Sequence, residues 1–208
     1  MKLILNEGQY NRLILESPEG IDDFLDDLSL HYRKLTPEHL QKIKSDIESS
    51  GCEKIEWAPF SREFTVGKNT AAGLSLPHGV MLNNMILNAN PLEIIIYILF
   101  HEIGHQYQYK KYGEEFAYKL YRNNIDIPTA IQTLKNIENT ADQFGLRKCR
   151  EYNKLGICRV PQIPGSYSDV PDQLFIDYLA KFRNKINEMG INTPDEIGTM
   201  IYNWIKLI

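Results

Sequence analysis

The sequence predicts an α+β fold. Three observations carry the prediction. Residues 1–50 show helical spacing of apolar side chains, residues 52–90 show short period-two alternation between turn residues, and helical spacing returns from Pro91 onward. Helices, then a small sheet, then helices is the order of an α+β chain rather than of alternating βαβ units. At 208 residues the chain is long enough for one sizeable domain, or for one domain with a helical extension.

Asn6 is placed to cap a short helix carrying Tyr10, Leu13 and Ile14. Ile21, Phe24, Leu25, Leu28 and Tyr32 recur at helical spacing, with aspartates on the other face. That stripe reads as core rather than as a docking surface. Thr36-Pro37-Glu38 starts a second helix, with Thr as the cap and Pro at the first helical position, and Gly51 is its stop. Further on, Ile55 and Trp57, Phe64 and Val66, and Leu74 and Leu76 alternate between Gly67, Gly73, Pro77 and Gly79. This predicts short antiparallel strands, with a last strand from Val80 and a turn before Asn90.

Pro91 suits the first turn of a helix that runs from Leu92 to Tyr112 and ends at Gly113. Pro128 opens another, carrying Ile131, Leu134, Ile137, Ala141 and Phe144. Beyond a loop with Pro161, Pro164 and Gly165, Pro171 starts a helix that Gly190 stops. Thr193-Pro194-Asp195-Glu196 is a capping box for a final helix.

Composition excludes several classes. Apolar residues make up 43% and charged residues 24%, which is ordinary globular usage and not that of a disordered chain, a collagen or a disulfide mini-scaffold. The net charge of −4 argues against non-specific nucleic-acid binding, which needs a basic footprint. Cys52, Cys149 and Cys158 are odd in number and irregular in spacing, so they read as free thiols. The opening MKLILNEGQY lacks the apolar core of a signal peptide, and Ile94–Phe100, the most apolar run, is too short to span a bilayer. The expectation is a cytoplasmic protein with no membrane association.

Chemistry concentrates in His101-Glu102-Ile103-Gly104-His105, inside the long predicted helix. Helical residues four apart share a face and stand about 6 Å apart along the axis. Two imidazoles so placed can hold one Zn²⁺ at about 2.0–2.1 Å. Glu102 follows the first histidine, beside the metal rather than on it, where a carboxylate can take a proton from water. The apolar run Ile94–Phe100 before the motif marks a buried helix, not an exposed one with two ordinary histidines.

A catalytic zinc takes three protein ligands and keeps one position open. Glu138-Asn139-Thr140-Ala141-Asp142 supplies a candidate from the next helix. Glu138 can ligate, and Asp142, four residues on and on the same face, can accept the free N–H of a ligating imidazole. Alone, such an acidic pair is common on exposed helices. Its value comes from the pairing with the histidine motif.

The two motifs together resemble the gluzincin metallopeptidases. The Glu138–Asp142 segment is especially similar to that of the minimal gluzincins related to CAAX-prenyl endopeptidases, and soluble repressor-cleaving metalloproteases are an equally fair comparison. The resemblance covers about residues 52–150. It implies His101, His105 and Glu138 as zinc ligands, Glu102 as general base, and Asp142 as partner of a ligating imidazole. It further implies a zincin-like core, a small mostly antiparallel sheet plus the active-site helix. The edge strand of that sheet binds substrate backbone, and Gly79–Asn83 stands where the edge strand is expected. The organisation that follows is a helical N-terminal extension at 1–50, a metallopeptidase core at 51–155 and a C-terminal helical region at 156–208. The expected function is zinc-dependent hydrolysis of a protein or peptide substrate.

Other residues carry weaker signals. His78, after Pro77, reads as a solvent-facing loop histidine. Tyr107, Tyr109, Tyr112, Tyr118 and Tyr121 cluster after the motif, and one of them is a candidate donor to an oxyanion. A different class of function is a catalytically silent zincin-fold module, with zinc closed by a fourth ligand such as His78 or Cys149. Its helical ends would serve as partner-binding arms in an assembly such as a phage particle. The Asn/Ile/Lys/Tyr-rich composition and the opening segment resemble phage-encoded proteins.

Overall fold

The most apolar stretch of the chain becomes a buried helix, and the other elements are arranged around it. The computed structural model describes residues 20–58, 65–66, 69–70, 72–76, 79–112, 120, 122, 125–163, 166–188 and 190. In chain order these form α1 (Ile21–His31), α2 (Pro37–Ser49), β1 (Lys54–Ala58), β2 (Thr65–Val66), β3 (Asn69–Thr70), β4 (Gly73–Leu76), β5 (Gly79–Asn83), α3 (Asn84–Ala89), α4 (Leu92–Tyr112), α5 (Ile127–Lys154), a 3₁₀ turn (Tyr167–Asp169) and α6 (Asp172–Glu188). The fold is α+β, mostly helical, with a small three-stranded sheet. Among the described residues no helix is long and apolar enough to cross a membrane.

Local signals act as the sequence predicts at several boundaries. Thr36 caps α2, accepting from the His39 amide at 3.3 Å, while His39 Nδ1 accepts from the Thr36 amide at 3.4 Å. Gly51, at φ +76°, takes the left-handed position just past the end of α2. The predicted helices at Asn6 and after Thr193, the stop at Gly113 and the strand position Phe64 lie outside the described residues.

The sheet departs from the expectation of antiparallel strands. Its order is β1-β5-β4. β4 runs antiparallel to β5, but β1 runs parallel to it, with Ile55 opposite Val80 and Trp57 opposite Leu82. β2 and β3 pair separately and antiparallel. Twenty intervening residues bring the chain back to the starting side of β1, so a parallel pairing is sterically open. β5 is therefore the central strand, buried along its length, and not the edge. Among the described residues the edge nearest α4 is β4. The turn expected before Asn90 is the short helix α3, capped by Asn83 through the Met85 amide at 3.0 Å.

The main core joins α1 and α2 to the sheet and to α4. Phe24, Leu28, Ile43 and Ile47 share one apolar cluster with Ile55, Val80, Leu82, Ile95, Leu99 and Phe100. The far end of α5 closes it: Tyr152 is fully buried, its ring edge-on to Phe100 at 5.7 Å. A second cluster, with Leu134, Phe175 and Leu179, packs the first half of α5 against α6.

The buried Tyr152 hydroxyl donates to Asp46 at 2.9 Å, and Lys42 and Lys148 reach the same carboxylate at 2.8 and 3.3 Å. Burial works against the Asp46 charge, but these donors outweigh it and hold its carboxyl below the usual aspartate value. The carboxylate thus stabilises the fold above the unfolded-state pKa of about 3.9, and the contribution fades as pH falls through the lower folded-state value. Thermal melts of Asp46→Asn should show a loss of roughly 1–3 kcal/mol at neutral pH. The gap to wild type should close below about pH 4. A gap unchanged at low pH would show that the loss comes from packing rather than from charge.

Candidate metal centre

Two helices supply the centre, and small residues set their spacing. α4 and α5 form the most extensive helix contact in the fold. A side chain on Gly104 would place its Cβ 3.1 Å from Ala141 Cα, and one on Gly145 would meet the Tyr97 carbonyl oxygen at 2.8 Å and the His101 nitrogen at 3.2 Å. Gly104, Ala141 and Gly145 thereby let the two backbones approach closely. Glu138 and Asp142 come with α5 to the face of α4 that carries both histidines.

His101 Nε2 and His105 Nε2 stand 3.1 Å apart, and Glu138 Oε2 lies 3.3 Å from the first and 3.5 Å from the second. All the other imidazole nitrogens are committed. His101 Nδ1 donates to Asp142 Oδ1 at 2.8 Å, and His105 Nδ1 donates to Gln108 Oε1 at 2.9 Å. With both Nδ1 atoms carrying the proton, the two Nε2 lone pairs and a carboxylate oxygen point at one spot. Either a metal ion or added protons must stand between these three acceptors.

The triangle also has a size that a tetrahedral divalent ion such as zinc fits. Donors bound at about 2.0–2.1 Å in a tetrahedral site stand about 3.3–3.4 Å from one another. Distances of 3.1, 3.3 and 3.5 Å bracket that edge. His101, His105 and Glu138 are the group of potential ligands that the described residues bring together. Cys149 does not join it, because its thiol donates to the Glu93 carbonyl at 3.7 Å in the main core. His78 lies outside the described residues.

The electrostatics suit a cation. Burial disfavours charge on His101, but hydrogen bonds to Asp142 and Glu138 prevail and push its imidazole up to about 10. His105 is raised too: burial opposes, and the Glu138 charge prevails. Glu138 is pulled well below the usual carboxylate range, since both histidines outweigh the penalty of its burial. In each case the protein favours a positive charge at the meeting point of the three donors.

Glu102 is buried beside this triangle and faces β4. A Cβ on Gly73 would stand 2.7 Å from Glu102 Cγ and 2.9 Å from its Oε1, so a glycine is needed where the strand passes over the carboxylate. The Ser75 backbone amide donates to Glu102. Burial, the largest influence, raises the Glu102 carboxyl above its ordinary value, against the pull of His101 and His105.

The structure also brings in residues that the motifs do not include. Tyr97, one turn before His101, donates to Asp142 Oδ1, so this oxygen serves both the phenol and the imidazole. Tyr97 follows the same four-residue spacing as the motif but sits inside an apolar run that reads as core. Tyr167, from the 3₁₀ turn, is a second addition. Burial first, and then the charges of Glu138, Asp142 and Glu102, oppose ionisation of its phenol and keep it a neutral donor near the site. Asn139, next to Glu138, holds this turn, accepting from Ser166 Oγ and the Tyr167 amide at 3.0 Å each. Among the tyrosines singled out from the sequence, Tyr107 is exposed with its ring near Phe144. The side chains of Tyr109 and Tyr112, and residues 118 and 121, lie outside the described set. No family model, curated protein or solved structure matches the chain.

Proposed function

We propose that the chain is a zinc-dependent peptide hydrolase with a gluzincin-like active site in a zincin-like core. The observation that carries this reading is the convergence of His101 Nε2, His105 Nε2 and Glu138 Oε2 at zinc-ligand spacing, with both Nδ1 protons tied off. The three protein donors found among the described residues match a catalytic zinc site, whereas structural sites are closed by four. Zinc held there would lower the pKa of water to about 7 and polarise a carbonyl.

The residues of the chain divide the remaining work. Glu102 takes a proton from the attacking water and passes it to the leaving amine. Its burial under β4 keeps the carboxylate beside the three donors and shielded from bulk water. Asp142, itself steadied by Tyr97, holds the His101 ring and keeps its Nε2 lone pair available.

The substrate is an extended peptide. β4 is the strand over Glu102, and among the described residues its outer edge has no strand partner. A peptide added there gains backbone hydrogen bonds next to the general base. The edge role that the resemblance assigns to Gly79–Asn83 thus passes to Gly73–Leu76. The test is digestion of a mixed peptide library by zinc-loaded wild type and by Glu102→Gln, with new termini read by mass spectrometry. Cleavage by the wild type alone supports the reading, and no cleavage by either contradicts it.

A further inference from the structure

The two ligating imidazoles are held by different means. His101 leans on a carboxylate, the Asp142–Tyr97 pair. His105 leans on a neutral amide: Gln108, on the next turn of α4, accepts from Nδ1–H through Oε1 at 2.9 Å. The other end of the same amide settles its orientation. Gln108 Nε2 donates to the Ile137 backbone carbonyl at 2.8 Å, and a carbonyl can only accept. Ile137 immediately precedes Glu138 on α5.

We infer that Gln108 is a positioning residue of the metal centre: its amide holds His105 as the Nδ1–H tautomer and straps that imidazole to the helix segment carrying Glu138. The inference rests on the zinc reading of the site. The link is direct, because one rigid planar group joins the ring of one ligand to the backbone beside another. It fixes their separation as well as the tautomer. An amide also suits this place chemically. Glu102, Glu138 and Asp142 already supply three carboxylates, and a carboxylate at position 108 would present an acceptor to the Ile137 carbonyl.

The experiment uses the full chain. Zinc affinity is measured by competition with a chromophoric chelator for wild type, Gln108→Ala and Gln108→Glu. The ring N–H protons of His101 and His105 are followed by NMR in the ¹⁵N-labelled, zinc-loaded proteins. In the wild type both Nδ1–H protons should exchange slowly. Gln108→Ala should lose the His105 proton to fast exchange, keep the His101 proton, and bind zinc about ten- to a hundredfold more weakly. Gln108→Glu should keep the His105 proton and regain part of the affinity, since a carboxylate oxygen still accepts. Wild-type affinity in Gln108→Ala would overturn the inference while leaving the metal site intact. A His105 Nδ1–H that still exchanges slowly in Gln108→Ala would overturn the tautomer-holding role. Failure of the wild type itself to bind zinc would overturn the underlying site reading, a result distinct from either.

Discussion

Glu102→Gln should bind zinc as the wild type does and cleave peptides at least about a hundredfold more slowly, the loss expected when a positioned general base is removed. The substitution nearly conserves shape. The glutamine keeps an oxygen for the Ser75 amide and fits under Gly73, where space is tight enough that a Cβ would stand 2.7 Å from Glu102 Cγ. What it removes is the ability to take up a proton. Glu102 is not among the three converging donors, so zinc content should not change. A normal rate in the variant would remove Glu102 from the mechanism. Loss of zinc would mean that it shapes the metal centre instead.

A single methyl group at the helix crossing should have the next largest effect. Gly145→Ala places a Cβ 2.8 Å from the Tyr97 carbonyl oxygen and 3.2 Å from the His101 nitrogen. Both are backbone atoms of α4, so relief requires the helices to move apart. Alanine gains about 1 kcal/mol in helix propensity over glycine. Overpacking of this kind costs about 1–3 kcal/mol, so the steric term should win. A chain of this size should lose roughly 2–4 °C of melting temperature for each net kcal/mol. The larger consequence falls on the metal, because α4 carries the histidines and α5 carries Glu138. Widening the crossing opens the donor triangle, and zinc affinity should fall by at least about tenfold, the scale seen when supporting contacts of a metal site are lost. A variant that melts higher and binds zinc normally would show that the crossing has slack.

The grouping of the candidate metal ligands is more legible in the sequence than the sheet is, for a physical reason. Positions four apart on a helix share a face whatever the tertiary context. His101 with His105, and Glu138 with Asp142, could therefore be grouped from spacing alone. Period-two alternation marks strands but carries no direction, so the parallel pairing of β1 with β5 and the central place of β5 were not readable. Tyr97 and Gln108 sit at helical spacing from the histidines, yet their roles depend on partners across the α4–α5 contact. For Gln108 one partner is a backbone carbonyl, which no residue type announces. Tyr167 arrives on a three-residue turn held by Asn139, a geometry that only the folded chain creates. At Gly104 and Gly145 the folded chain brings the two helix backbones nearly into contact.

The most direct measurement is metal content by mass spectrometry, on protein purified without chelator, for wild type beside His105→Ala. Removing one imidazole leaves two of the three donors and should abolish tight binding, while the buried core around Leu99 and Phe100 stays in place. About one zinc per wild-type chain, absent from the variant, is the expected result. A folded wild type that carries no metal and takes up none on reconstitution would contradict the zinc centre, and with it the hydrolase.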